Sequence, residues 1–453
     1  MLDIRRPRTS KVAGFLVLVV VTLALRTMGL NSFVGDFFTI IYVLMILLSK
    51  SVTTMYSALL VSIPVETLFT PTLLPFSISF YVIAAITAKL VIKNGISFRM
   101  AMAVILFCIF ELCITIWTFA DIKQVIKCAI MLLFVEALPR QVATKREVDL
   151  TSSGKWYVIG LFISSLTPML LPNLTRELYR LANIGPIAAH VEGYISIEGI
   201  SGLVGDSTVH AQQLSVGMGI VLCLMGERCI RKCTGVFLLL ALMAFAALSL
   251  SKTAMILCAV SMVFLPFVLS GNLHGLVGKL AAIAMVYAVC VVLAYTYLLP
   301  SFLERVVKID RGDFLTGRLE IWGKYLGLIK ANPLRVLFGW GIGSIIDVSR
   351  AYMIGFTAHN AYLEKFIELG VCGLVLYVAC FRAALKNQLR VRHIYSRNFP
   401  VIMLLLTYLV LGMVDYSFLY AFIPFSLCRQ CVKANDSSLY PVPAWKRDVM
   451  QTR

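Results

Sequence analysis

Apolar residues arrive in long unbroken runs, and the polar ones collect in the short gaps between them. A helix that crosses a bilayer needs about 20 predominantly apolar residues. The runs near 12–30, 33–49, 51–70, 72–92, 99–118, 122–138, 156–172, 208–225, 234–250, 253–270, 276–299, 359–381, 399–415 and 417–432 approach that length. The pattern predicts an all-α, polytopic integral membrane protein with about 12–14 transmembrane helices. It divides the chain into four parts. An N-terminal transmembrane bundle covers 1–233, with an external loop near 173–207. Three spans follow over 234–299, carrying the Ser-Lys-Thr step, then a large external loop over 300–358. The part from 359–453 holds the C-terminal spans and a short cytoplasmic tail. No cleavable signal is evident, so the first run reads as a signal anchor behind Arg5, Arg6, Arg8 and Lys11.

Composition agrees with the pattern. The chain is 60% hydrophobic and 14% charged over 453 residues, where an ordinary globular protein is roughly 25% charged. Mean hydropathy is +0.88. Disorder is excluded by the low charge, and the long helical runs do not fit the short alternating strands of an outer-membrane barrel. The net charge of +18 has a topological explanation. With the N-terminus in the cytoplasm, the inside connections hold most of the short-loop cations. Those include Lys89, Lys93 and Arg99, then Arg140, Lys145 and Arg146, then Arg228, Arg231 and Lys232, then Arg382, Lys386 and Arg390. The short outside connections hold only Arg26, Lys123, Arg176, Arg180 and Lys252. This bias places both termini in the cytoplasm and removes the need for nucleic acid as a partner. Of the 12 cysteines, the Cys229-x3-Cys233 and Cys428-x2-Cys431 pairs are each at most half a zinc site, with no His pair beside them. No metal site is expected.

The large external loop carries Arg305, Lys308, Arg311, Arg318, Lys324, Lys330, Arg335 and Arg350. Long loops escape the positive-inside rule, so this excess suits an anionic ligand such as a lipid diphosphate or an acidic glycan. Within it, Thr316 can cap a short amphipathic helix starting near Arg318. Leu319, Trp322, Leu326 and Ile329 share one face, Glu320 and Lys324 form an i,i+4 pair, and Asn332-Pro333 ends the run. Such a helix would lie along the membrane surface with Trp322 at the interface. The string Gly339-Trp340-Gly341-Ile342-Gly343 lacks the strand–turn–helix context of a dinucleotide site and reads as a flexible turn.

Four stretches carry candidate chemistry. Where the loop re-enters the membrane, Asn360, Glu364 and Glu368 fall at fourth-residue spacing, and His359 stands one step away. Carboxylates in a span are costly and must face a polar cavity or partners. His359 reads either as a reactive group on that cavity or as an interfacial histidine capping the helix. Arg318 can take a phosphate in bidentate fashion or be an ordinary surface arginine. Lys252, in Ser251-Lys252-Thr253, reads as an external cation or as a snorkelling span end. From Gly202 to Gln213, Asp206 or Ser207 can cap a helix, and His210, Gln212 and Gln213 then enter lipid depth and need partners.

In order and spacing these stretches resemble the C-terminal region of the O-antigen ligase and polymerase superfamily. The resemblance covers Ser251-Lys252-Thr253, Gly317-Arg318 with Trp322, Asn332-Pro333, Gly339 to Gly343, and His359-Asn360 through Glu368, Gly370 and Gly373. Lys252 stands where that family usually has arginine, which keeps the charge and loses the fork. The resemblance implies a glycosyltransferase without metal or other cofactor, in the cell inner (cytoplasmic) membrane, with the large loop periplasmic or extracellular. Its donor would be an undecaprenyl-diphosphate-linked oligosaccharide. His359 would be the general base. Arg318 and Lys252 would meet the charge of the leaving diphosphate, and Asn360, Glu368 and Trp322 would line the substrate site. A polysaccharide polymerase is the first expectation and an O-antigen ligase the alternative. A flippase or other transporter is a third class, for which no inverted repeat is visible. A chain-length regulator and a repeat-unit flippase are the candidate protein partners.

Overall fold

The structure, a computed structural model, describes residues 9–30, 33–115, 121–144, 153–182, 202–205, 207–226, 229–249, 318–355, 358 and 360–389. Among these residues every regular element is helical. The expected spans 253–270, 276–299, 399–415 and 417–432 lie outside them, as do most of the external loop near 173–207 and the stretch 300–317.

In the N-terminal bundle the helices are α1 (Thr9–Thr27), α2 (Val34–Leu48), α3 (Val52–Ser62), α4 (Ile78–Asn94), α5 (Phe98–Thr115), α6 (Ile122–Thr144), α7 (Gly154–Leu170), α8 (Pro172–Leu181), α9 (Ser207–Gly226) and α10 (Lys232–Leu248). After the undescribed stretch come α11 (Arg318–Ala331), α12 (Pro333–Phe338), α13 (Ile345–Ala351) and α14 (Ala361–Leu389). The starts obey local chemistry. The Ser51 hydroxyl accepts the Thr54 N–H at the head of α3, Ser97 accepts that of Met100 before α5, and Asp121 accepts that of Lys123 before α6. Pro172 and Pro333 occupy first turns, where a missing N–H costs nothing. Gly95 ends α4 with φ 65°.

The apolar run at 51–70 is not one helix. Pro64 cannot donate to the carbonyl four residues back, so α3 stops at Ser62 and a 3-10 turn takes over at Glu66–Phe69. The run at 156–172 bends by 110° into α8 across Leu171. Among the described residues no single helix is both long and apolar enough to cross a membrane by itself. The bent pair α7–α8 meets the length and composition together.

One large core joins α1 to α10 with part of α14. Within it α4 packs on α6, α3 on α7, α9 on both α7 and α10, and α14 on α5 and α6. The distribution of polarity is reversed from that of a water-soluble bundle. Arg26, Asp36, Glu111, Glu136, His210, Gln212, Gln213, Glu364 and Glu368 are buried, while Val17, Val20, Phe37, Ile40, Leu44, Ile105, Leu106 and Ile109 face outward. At one end of the bundle the turns knit together. Asp36 accepts from the Thr72 hydroxyl and from the backbone N–H groups of Thr72, Leu73 and Leu74, and Arg26 donates to the Thr70 carbonyl at 3.1 Å. Lys127 of α6 stands 5.8 Å from the Phe76 ring at the same end. Gln124 and Asp121, three and six residues earlier, meet Gly343 and Ile342 of the C-terminal part.

Candidate functional site

The segment read as a loop with one amphipathic helix has a core of its own. Tyr325, Leu328 and Ile329 of α11, Trp340, Ile345 and Val348 around α13, and Ile354 and Ala358 pack on Ile367 of α14. Helix α11 begins and ends where its sequence predicts, and Asn332 closes it by donating its side-chain N–H to the Leu328 carbonyl at 2.9 Å. The buried stripe differs from the expected one. Tyr325 and Leu328 point inward, whereas Leu319 and Leu326 are exposed. Trp322 is half-buried, and its indole Nε1–H donates to the Ala358 carbonyl at 2.7 Å.

That bond brings two distant motifs together. Arg318 opens α11 one helical turn before Trp322, and Ala358 directly precedes His359. His359 itself, Lys252 and the side chain of Arg318 lie outside the described residues. On the far side of His359, the Asn360 Oδ1 accepts the backbone N–H groups of Tyr362 and Leu363, both at 3.1 Å. Asn360 is therefore the N-cap of α14. The backbone on either side of His359 is fixed, by an indole before it and by a cap after it.

Further along α14, Glu364 and Glu368 are buried, and Lys365 pairs with Glu368. The helix then breaks at Gly370, which adopts φ 58°. A break frees carbonyls that would otherwise accept from the next turn. The glycine string satisfies them. Trp340 N–H donates to the Ile367 carbonyl at 3.0 Å, and Gly341 N–H donates to the Glu368 carbonyl at 2.7 Å. Trp340 is 2% exposed, with the Arg335 guanidinium 5.8 Å from its ring and bonded to the Gly339 carbonyl at 3.1 Å. The string, read as a flexible turn, is a buried clasp. Its glycines are required by geometry, since Gly339, Gly341 and Gly343 all have positive φ.

Sequence reasoning passed over Glu111, which accepts the Ile342 N–H at 2.9 Å. The available signal was an acidic residue alone in the apolar run at 99–118. The polar residues after Gly202 do find partners. His210 Nε2 lies 3.2 Å from the Ser165 hydroxyl, the Tyr157 hydroxyl donates to the Gln213 carbonyl at 3.2 Å, and the Leu203 N–H donates to the Ser164 hydroxyl at 3.1 Å. A Cβ on Gly202 would fall 2.6 Å from His210 Cε1. This seam ties α9 to α7.

Comparison with known proteins adds one family. Residues 235–378 match the family model described as O-antigen ligase, which supports the O-antigen ligase and polymerase superfamily. The matched segment contains α11 to α13 and the first turns of α14. No curated protein and no solved structure matches the chain.

Proposed function

We propose that the protein is a membrane-embedded glycosyltransferase that joins undecaprenyl-diphosphate-linked oligosaccharide repeat units on the outer face of the cytoplasmic membrane. One observation supports this most strongly. The Trp322–Ala358 hydrogen bond ties the helix that Arg318 opens to Ala358, the residue before His359 in sequence, within the segment that matches the O-antigen ligase family. The membrane setting is supported by the reversed polarity of the bundle, whose outward faces are apolar and whose carboxylates are inside.

The chemistry follows from the residue types. A sugar hydroxyl of the acceptor attacks the anomeric carbon of the donor, and His359 takes the hydroxyl proton. The new C–O bond forms as the bond from the anomeric carbon to the diphosphate oxygen breaks. The electron pair leaves with undecaprenyl diphosphate, whose charge Arg318 and Lys252 meet. Asn360 and Trp322 hold the residues on either side of His359, Asn360 by capping α14 and Trp322 through the Ala358 carbonyl. That lowers the entropic cost of reaching the reactive geometry.

A ligase reading uses the same residues with a different acceptor, the lipid A core, and the family match is equally consistent with it. The acceptor distinguishes the two. Purified protein in lipid, given a synthetic undecaprenyl-diphosphate repeat unit alone, lengthens the glycan if it is a polymerase; a ligase requires added lipid A core. The His359→Ala protein should lose about 10²–10⁴-fold in rate. Elongation at the wild-type rate by His359→Ala would remove the base assignment. Movement of lipid across the bilayer with no new glycosidic bond would replace the enzyme by a transporter.

A further inference from the structure

Glu111 belongs to α5, far from the matched segment in sequence, and the chemistry above gives it no task. It is 0% exposed. A carboxylate inside an apolar bundle is expensive to keep, so its contacts should account for it. Its Oε2 accepts the Ile342 N–H across a sequence separation of 231 residues. The Ile342 carbonyl in turn accepts the Asp121 N–H at 3.2 Å, at the head of α6. Ile342 is thus held on both sides by the N-terminal bundle. Its two predecessors, Trp340 and Gly341, bond to the carbonyls at the break in α14. The opposite side of Glu111 is kept open by Gly373, where a Cβ would lie 2.8 Å from Phe110 Cε1 and 3.3 Å from Glu111 Oε1.

These bonds form one line. It runs from α5 through residues 342, 341 and 340 to Ile367 and Glu368, and one further helical stretch of α14 reaches Asn360. We infer that Glu111 is a positioning residue: by fixing the 340–342 turn it fixes the first half of α14, which Asn360 caps and which His359 precedes in sequence. The inference rests on the reading of His359 as the base. It extends the working parts of the site into the N-terminal half of the chain. The bond needs an acceptor oxygen at that reach, held by a side chain that is fully buried, which suits an anchor on which a reactive group depends.

The test uses the full chain in lipid, with two readouts. Hydrogen exchange at the Gly341 and Ile342 amides, measured without substrate, reports the clasp. Elongation of a synthetic undecaprenyl-diphosphate repeat reports the site. For Glu111→Leu, exchange at Ile342 should rise at least about 10-fold and kcat should fall about 10–100-fold with KM for the donor unchanged. Glu111→Gln retains an acceptor at the same reach and should recover both to within a few-fold. Should Glu111→Leu fail to fold, Glu111→Asp decides, since it keeps the charge, withdraws it by one methylene and should behave as the leucine variant was expected to. A folded Glu111→Leu or Glu111→Asp with wild-type kcat overturns the positioning role, and unchanged exchange at Ile342 overturns the clasp. Wild-type protein that forms no glycosidic bond, yet shows the exchange response, overturns the glycosyl-transfer reading and leaves the clasp standing as architecture alone.

Discussion

Gly339 and Gly370 each occupy the space where the other would carry a side chain. A Cβ on Gly339 would lie 2.6 Å from the Gly370 nitrogen, and a Cβ on Gly370 would lie 2.5 Å from the Gly339 nitrogen. Both residues have positive φ. Thirty-odd residues of sequence separate two halves of one backbone contact, and neither half makes sense without the other.

Substitution at either position should therefore carry two costs. Positive φ with ψ near 180°, a region open essentially to glycine alone, penalises a side chain by about 1–3 kcal/mol, and forced contact in a packed site adds about 1–3 kcal/mol. Gly355 supplies the control, with φ 86° and nothing within 4 Å of its added Cβ. Chemical denaturation in detergent should rank Gly339→Ala and Gly370→Ala well below Gly355→Ala. Equal losses at all three positions would mean that the close approach of the two glycines is absent.

Trp322→Phe removes the indole donor and keeps most of the ring. The folded protein should lose about 1 kcal/mol, the net worth of one hydrogen bond, and the rate should fall while donor KM stays constant. A raised KM with unchanged kcat would instead identify Trp322 as a residue that touches the substrate, as the family resemblance implies.

Asn360 offers a sharper separation of roles. Asn360→Ala should cost about 0.5–2 kcal/mol of stability through loss of the cap. Asn360→Asp keeps a capping oxygen and should retain both stability and most of the activity. If Asn360→Asp is fully stable and inactive, the amide is doing something beyond capping α14.

The topology can be checked without purification. Reporter fusions placed after Asp313 and after Arg397 should report opposite compartments, outside for the first and cytoplasmic for the second. The same compartment for both would invert or break the assignment of the large loop.

The positions of most helices were legible in the apolar runs. The run at 208–225 became Ser207–Gly226, and that at 99–118 became Phe98–Thr115. Local signals also placed α11, because Asn332-Pro333 stops a helix wherever it occurs. Which face of α11 turns inward was not legible, and the reason is physical. Ile321, Tyr325 and Leu328 form a second apolar stripe beside Leu319, Trp322 and Leu326, and periodicity alone does not choose between two such stripes. Pro64 was a visible helix breaker within the run at 51–70, but the length of the run outweighed it. The clasp was hidden for a different reason. Spacing within Gly339–Gly343 predicts a turn, but the partners of its N–H groups are carbonyls on α14 and a carboxylate on α5, and no local pattern reports contacts at that separation. The candidate site was legible as a set of motifs and not as an arrangement.

The carbonyls exposed by the break at Gly370 set how seldom the segment that covers them lifts away. If the Gly339–Gly343 strap lifted away, the Ile367 and Glu368 carbonyls and the Glu111 carboxylate would all lose acceptor bonds in apolar surroundings, at about 1–3 kcal/mol for each group and more for the charge. At about 3 kcal/mol or more in sum, the lifted state would hold below about 1% of molecules. The strap thus belongs to the resting fold, and residues 339–343 stay seated between α5 and α14 in nearly all molecules.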